Sequence, residues 1–397
     1  MSEATLPRPG QRADYMVVGI GASAGGLKAL LEFFENAPAG AGMAYVVVVH
    51  LSPEHASRMT DLLQPSTSMP VRGVTETTTI EPDHVYVISP KSQLRIYDGK
   101  LEPTECARPR GAAMTIDLFL ETLAQAHEHR AAGIILSGTG SDGTRGMRAI
   151  KAQGGITIAQ APEEAEYDSM PRSAIATGDV DFVLPVREIP GKIGALWRNA
   201  KTIEIPSLPD RPTAEDVRAE AEEAMRDILG TVRTRTGHDF SQYKRATLTR
   251  RIERRLQVNQ LRSLSEYRDY INDHAAEGPA LLRDLLISVT WFFRDPLAWE
   301  ALDKRVLRAL FSERDNGGKV RVWVVGCATG EEVYSLAMLM QERMDSMNKP
   351  PLVNIFATDI DEEALRYARE GLYPESIAEH VPPDRLRRFF ICEQAIH

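Results

Sequence analysis

YMVVGIGASAGGLKAL, residues Tyr15 to Leu30, decides the fold of the first half of the chain. It reads as a buried apolar strand, a glycine-rich turn and the start of a helix, and the turn satisfies two motifs at once. From Gly19, Gly-Ile-Gly-Ala-Ser-Ala matches the G-x-G-x-x-A turn that seats a dinucleotide pyrophosphate at a helix N-terminus. From Gly21, Gly-Ala-Ser-Ala-Gly matches the G-x-S-x-G elbow that lifts a serine hydroxyl above a parallel sheet. The two differ in whether Ser23 packs beneath a phosphate or acts as a nucleophile.

Outward from this stretch, apolar runs alternate with helical segments. AYVVVVH (44–50) and AAGIILSG (131–138) read as buried strands, ITIAQ (156–160) as another, and HVYVIS (84–89) with LRIYDG (94–99) as a pair of shorter ones. TIDLFLETLAQAHEHR (115–130) and GTRGMRAIKAQGG (143–155) read as helices. This alternation predicts an α/β fold, a doubly wound, mostly parallel sheet covered on both faces, ending near Trp197. A linker over 198–212 follows, where Pro206, Pro209 and Pro212 exclude a helix interior. Thr213, in Thr-Ala-Glu-Asp, restarts a helix, and 213–310 reads as an all-α subdomain. VRVWVVGCATGEEVYSLAM (320–338) and LVNIFATDID (352–361) then open a second strand-turn-helix unit, 318–397, a partial Rossmann-like α/β domain.

Composition bounds the function. A chain of 397 residues exceeds one ordinary core. Its net charge of −9 argues against bulk nucleic-acid binding. Three cysteines, Cys106, Cys327 and Cys392, form no C-x-x-C pair, which suits a reducing compartment. With no apolar signal core and no membrane-length run, the expectation is a cytoplasmic protein without membrane insertion. The His127-Glu128-His129 spacing does not put both histidines on one helical face, so it reads as surface and no metal is expected.

The opening ambiguity resolves at the second strand. A dinucleotide fold needs Asp or Glu at its end to hold ribose hydroxyls, and this strand ends in His50, a poor ribose clamp but a good general base. Asp142, in the glycine-rich loop after AAGIILSG, supplies a carboxylate at a third strand end. Ser23, His50 and Asp142 together make a nucleophile, a base and a group that fixes the base's tautomer. Asp117 and Asp168 compete with Asp142, and spacing alone does not dismiss them.

GIGASAGGL, VVVVHLSPEH, ILSGTGSDGTRGM and AQAPEEAEYDSMPRSAI, in this order over about 14–197, closely resemble the catalytic domain of CheB-type protein-glutamate methylesterases of bacterial chemotaxis. The resemblance implies hydrolysis of glutamate methyl esters on a chemoreceptor, releasing methanol, and deamidation of receptor glutamines. It assigns catalysis to Ser23, His50 and Asp142, with backbone amides near Ala24 and Thr139 as oxyanion donors. Many members have Thr where this chain has Ala24. Stand-alone members also carry an N-terminal receiver domain, for which this chain leaves no room.

In the second unit Gly326 and Gly330 flank a turn, Glu331 opens the helix, and the next strand ends at Asp359. An acid at the helix start repels phosphate, which favours S-adenosylmethionine over a dinucleotide. Together with LLISVTWFFRD (285–295), these motifs resemble CheR-type chemoreceptor glutamate methyltransferases over about 222–397. The family's cofactor contacts map onto Ser288, Thr290, Arg294, Glu331 and Asp359, with Ser288 standing where Asn is usual. The chain ends soon after the second strand, so an incomplete methyl-transfer domain is expected. In YKRATLTRRIERRL (243–256), Arg250, Arg251, Arg254 and Arg255 share one helical side, either a solvated face or a dock for acidic receptor helices. The rivals are a non-enzymatic signalling scaffold and an esterase for a different ester.

Overall fold

The structure is a computed structural model, and it describes residues 15–49, 58–89, 92–105, 114–203, 215–312, 318–374, 377, 378 and 380–392. His50, Cys106 and the 204–214 stretch, with Thr213 and the three linker prolines, lie outside the described residues. The chain divides into two compact units, Met1–Ile287 and Ser288–His397.

The long apolar runs of the first unit form the interior of a seven-stranded sheet. In chain order the elements are β1 (Met16–Ala22), α1 (Gly26–Glu35), β2 (Met43–Val49), α2 (Met59–Leu63), β3 (Val71–Val74), β4 (Thr78–Thr79), β5 (Val85–Ile88), β6 (Ser92–Tyr97) and β7 (Lys100–Glu105). They continue with α3 (Thr115–His127), β8 (Ala131–Ile135), α4 (Thr144–Ala152), β9 (Ile156–Gln160), α5 (Ser169–Ala176), β10 (Phe182–Leu184) and α6 (Ile189–Ala200). The sheet order is β10-β9-β8-β1-β2-β5-β3, with parallel pairs throughout. Strand alternation divides the core between two faces. Val18 and Ile20 pack with Leu30, Phe33 and Phe34 of α1, while Val17 packs with Phe119, Leu120 and Leu123 of α3.

Three expectations change here. The 84–89 and 94–99 segments are both strands but not partners. β5 belongs to the main sheet, whereas β6 pairs with β7 in an antiparallel three-stranded sheet, β4-β7-β6. His127 is buried rather than on the surface, near the Tyr15 ring, and burial with help from Arg130 pushes its imidazole down to about 4, so it is neutral. Only His129 of that pair is exposed.

The third change concerns the arginines. Four helices follow: α7 (Glu215–Thr236), α8 (Arg245–Val258), α9 (Leu264–Asp273) and α10 (Glu277–Leu286), packed around Met225, Ile228, Val232, Ile252, Leu256 and Tyr267. Arg251, Arg254 and Arg255 of α8 are buried, not presented to solvent. Arg251 Nη1 donates to the carbonyls of Lys151 (3.2 Å) and Ala152 (2.6 Å), capping the C-terminal end of α4. Arg254 donates to the Gly155 carbonyl at 3.1 Å and pairs with Asp181 and with Asp284 of α10. Arg255 forms a two-pronged pair with Glu277, both bonds 2.7 Å. Half-buried Arg250 reaches Gln153 Oε1 at 3.3 Å. The same i, i+3 and i, i+4 spacing that made a basic face therefore turns it toward the α/β domain and α10. An acidic partner has no access to three of the four.

The second unit begins with an irregular segment over 288–295. It continues with α11 (Pro296–Ala301), a π-helical turn (Leu302–Leu307), α12 (Arg308–Ser312), β11 (Lys319–Val325), α13 (Glu331–Asp345), β12 (Leu352–Thr358), α14 (Glu362–Glu370) and α15 (Pro383–Phe389). β11 and β12 pair in parallel from Lys319↔Leu352 to Val325↔Thr358. Val320 and Val324 pack with Leu336, Leu339 and Met340, while Trp323 and Val325 on the opposite side are each 67% exposed. Among the described residues, no helix is long and apolar enough to cross a membrane.

Candidate functional site

Ser23 follows β1 directly, at the carboxyl edge of the sheet, and is 9% exposed. Its N–H donates to the Ser137 carbonyl at 3.0 Å, and its own carbonyl accepts from Gly26 N–H at 2.9 Å as α1 begins. Gly25 takes a φ of +70°, open to glycine and strained for other residues, so the elbow turns within three residues. The same turn tests the dinucleotide reading. A Cβ on Gly19 would meet Leu120 at 2.6 Å, and one on Gly21 would meet Ile116 at 2.5 Å. The space these glycines leave is filled by α3, not open to a pyrophosphate. The glycines serve helix packing.

The loop after β8 lies alongside. A Cβ added at Gly138 would sit 2.9 Å from the Ser23 Cβ, which places that loop against the elbow. Residues 160–173 hold it from the other side. Gln160 Oε1 accepts from Ser137 N–H (2.8 Å), Ser137 Oγ donates to the Ala24 carbonyl (2.9 Å), and Ser169 Oγ accepts from Gly140 N–H (3.0 Å). Sequence reasoning missed Ser137, Gln160 and Ser169. Their signal was a polar residue at a strand end for Ser137 and Gln160 and at a helix start for Ser169, indistinguishable there from ordinary turn chemistry. The N–H groups of Ala24 and Thr139 have no hydrogen-bond partner among the described residues.

Asp142 is 5% exposed, and both carboxylate oxygens accept backbone N–H bonds at the start of α3, from Ile116 at 3.0 Å and Asp117 at 2.9 Å. Asp168, by contrast, pairs with Arg172 at 2.6 Å on an exposed face. Asp117 is buried but faces Gly146 N–H, which donates to its Oδ1 at 2.8 Å. His50 lies outside the described residues. β2 runs up to it, and Val49 pairs with Ala22, the residue before Ser23.

In the second unit Asp359 Oδ2 accepts from Ala328 N–H at 2.7 Å and Oδ1 from Asp361 N–H at 2.9 Å, tying the end of β12 to the turn after β11. Glu331 opens α13 and accepts from Thr329 Oγ1 at 2.6 Å. Thus Glu331 and Asp359 meet at one turn. The 288–295 segment reaches α13 through Phe293 N–H, which donates to Ser335 Oγ at 3.0 Å. Within it Ser288 and Thr290 are half-buried, and the exposed Arg294 donates to the Val289 carbonyl at 2.9 Å and lies 4.7 Å above the Trp291 ring. Phe293, Asp295 and Ala328 take left-handed backbone conformations, φ 53°, 56° and 45°. Strained positions of this kind cluster where ligands bind. Space beside Gly326 is open, since a Cβ there meets nothing within 4 Å. Two acids in the first turn of α13, Glu331 and Glu332, disfavour phosphate and suit a cationic ligand. This donor set fits S-adenosylmethionine. Among the described residues, no cluster of His, Cys, Asp and Glu is placed to hold a metal.

A serine elbow on a parallel sheet, a helical bundle and a second glycine-turn unit define a chain of successive modules. Three family models match these in order: CheB methylesterase over residues 18–193, the all-alpha domain of CheR methyltransferase over 223–286, and the SAM binding domain of CheR methyltransferase over 288–396. A putative protein-glutamate methylesterase/protein-glutamine glutaminase of Leptospira interrogans is 32% identical over 182 residues, covering 44% of this chain and 92% of that relative. An uncharacterized 104.1 kDa protein of Rhodobacter capsulatus is 37% identical over 346 residues, 84% of this chain, and the chain spans 36% of that relative's length. The catalytic domain of Thermotoga maritima CheB methylesterase aligns with a TM-score of 0.42 and 28% identity, over 46% of this chain and 98% of that one. The chain belongs to the CheB methylesterase family, with CheR methyltransferase domains fused behind the esterase domain.

Proposed function

We propose that the first unit hydrolyses glutamyl methyl esters on a chemoreceptor or similar signalling protein, with Ser23 as nucleophile, His50 as base and Asp142 as the carboxylate that orients it. Ser23 Oγ adds to the ester carbonyl carbon while His50 takes its proton. The tetrahedral oxyanion is met by the Ala24 and Thr139 N–H groups. Collapse expels methoxide, which leaves as methanol with the proton from His50. Water, deprotonated by His50, then cleaves the glutamyl-serine ester and restores the enzyme. The same steps on a glutamine amide release ammonia, in keeping with the double name of the Leptospira relative.

The observation that carries this reading is the elbow itself. Ser23 follows β1 beside the Asp142 loop, its backbone bonded to Ser137, and the glycine space that a dinucleotide would need is filled by α3. For the second unit we infer that Asp359, Glu331 and the 288–294 segment, with Ser288, Thr290 and Arg294, hold S-adenosylmethionine, which supplies an electrophilic methyl group when bound.

The test is methanol release from a pre-methylated chemoreceptor fragment, comparing wild type with Ser23→Ala. Release by wild type alone is the expected result. Equal release by Ser23→Ala removes Ser23 from the chemistry. No release by either, with both proteins folded, refutes the glutamyl-ester assignment and leaves the scaffold or another ester.

A further inference from the structure

Two helices exchange carboxyl oxygens across their N-termini behind the elbow. Asp142, just before α4, accepts from the first amides of α3; Asp117, in the first turn of α3, accepts from Gly146 N–H in the first turn of α4 at 2.8 Å. We propose that Asp117 is a positioning residue of the esterase, locking the loop that carries Asp142 through this reciprocal exchange. The proposal rests on the triad reading and deepens it.

The groups around Asp117 decide how it does this. Its side chain is 1% exposed, and Oδ2 has no hydrogen-bond partner among the described residues. Arg145 is the cation beside it, with Nε 3.7 Å from Oδ2, but that guanidinium is committed to Glu121 at 3.0–3.1 Å. Glu121 and Asp142 add negative charge. Burial, then the Asp142 charge, push the Asp117 carboxyl well above the usual carboxylate range despite Arg145 and the Gly146 amide. Asp142, not Asp117, receives the two first amides of α3. The raised value leans Asp117 toward its protonated form. It caps α4 with one oxygen, Oδ1, which accepts from Gly146 N–H.

The experiment uses the full chain and three variants, Asp117→Ala, Asp117→Asn and Asp142→Asn. It reads kcat, KM and the pH profile of methanol release, and hydrogen exchange at the Gly146 amide. Asp117→Ala is expected to lower kcat about 10- to 100-fold with KM within twofold, the scale of a small misplacement of a reacting group. Gly146 exchange should rise. Asparagine keeps the Oδ1 acceptor and mimics the neutral acid, so Asp117→Asn should recover kcat to within about threefold, with Gly146 protected and the acidic limb of the profile unmoved. Asp142→Asn should lose roughly 10⁴-fold, as expected when a histidine's tautomer is no longer fixed.

Asp117→Asn falling as far as Asp142→Asn would overturn the proposal by making Asp117 the charged partner. Full turnover by Asp117→Ala would do the same by removing any positioning role. If Asp117→Ala fails to fold, the asparagine variant and its exchange decide alone. If wild type releases no methanol, the triad reading fails by itself. Exchange at Gly146 still judges the cap, and unchanged protection in Asp117→Ala would refute it.

Discussion

Arg254 offers the sharpest test of how the helical bundle is joined to the α/β domain. Its side chain has no exposed surface and those of Asp181 and Asp284 are 2% exposed, so Arg254→Met strips the central cation from two buried carboxylates. What remains is Lys151 Nζ, 3.9 Å from each, and Arg255 Nη1, 3.7 Å from Asp284. Breaking a buried pair from one side costs about 3–5 kcal/mol. At about 1.4 kcal/mol per decade, that is a rise of roughly 150- to 5,000-fold in the unfolding constant. It corresponds to a Tm lower by about 6–20 °C for a unit of this size. The sign with pH follows from Asp181. Burial alone would raise its carboxyl, but Arg254 and Lys151 outweigh burial and hold it below the usual range. In wild type its contribution is therefore present above the ordinary carboxylate range and lost as pH falls through the depressed value. In Arg254→Met the carboxyl is raised instead, and the deficit is greatest at neutral pH and shrinks as pH falls toward 5. Unfolding of the full chain at pH 7 and pH 5, with half-buried Arg250→Met as control, measures this. A loss below about 1 kcal/mol at pH 7, or one that deepens on acidification, would refute the reasoning.

Two further outcomes are expected. Gly138→Ala puts a Cβ 2.2 Å from Met170 Sδ and 2.9 Å from Ser23 Cβ. Methionine can yield but the serine cannot without moving, so kcat for methanol release should fall about 10- to 100-fold, with about 1–3 kcal/mol of stability lost. Unchanged kcat would remove the loop's contact with the elbow from the mechanism. Asp359→Ala should weaken S-adenosylmethionine binding at least about tenfold by calorimetry with helical content unchanged, since the carboxylate also holds the Ala328 and Asp361 amides. Wild-type affinity would move the cofactor elsewhere.

The parallel sheet was legible because VVVV at 46–49 and GII at 133–135 are strands buried on both faces, and such strands announce themselves by hydrophobicity alone. The three-stranded sheet was not. β7, KLEPTE, contains a proline and two glutamates, and it becomes a strand through pairing with β6, which no local pattern encodes. At the site, the elbow serine and the loop aspartate stood out by motif. The struts did not. Gln160 and Ser137 meet across 23 residues of chain, and Asp142 reaches helix amides 25 and 26 residues earlier. Spacing could not rank Asp117, Asp142 and Asp168, because the two backbone amides that Asp142 receives reach it only after α3 and α4 have packed.

The arginines of α8 show the same limit from the other side. Charge pattern names a face but not what the face meets. A guanidinium in water loses little by staying there, so a basic stripe defaults to solvent. Burying Arg254 carries a large desolvation cost that only close counter-charges offset, and a single carboxylate would leave donors of its fork unsatisfied. Here Asp181 from the α/β domain, Asp284 from α10 and the Gly155 carbonyl converge on one side chain. Those acids are 73 residues before it and 30 after it, and neither carries a mark in the sequence that distinguishes it from a surface aspartate. Buried polarity of this kind adds little net stability, but it penalises every arrangement that leaves one member unpaired. The bundle therefore has one register on the esterase domain. In that register Arg251 closes the C-terminal end of the same helix, α4, whose first turn Asp117 caps beside the Asp142 loop. One nine-residue helix thus carries a contact from the bundle at one end and the Asp117 cap at the other.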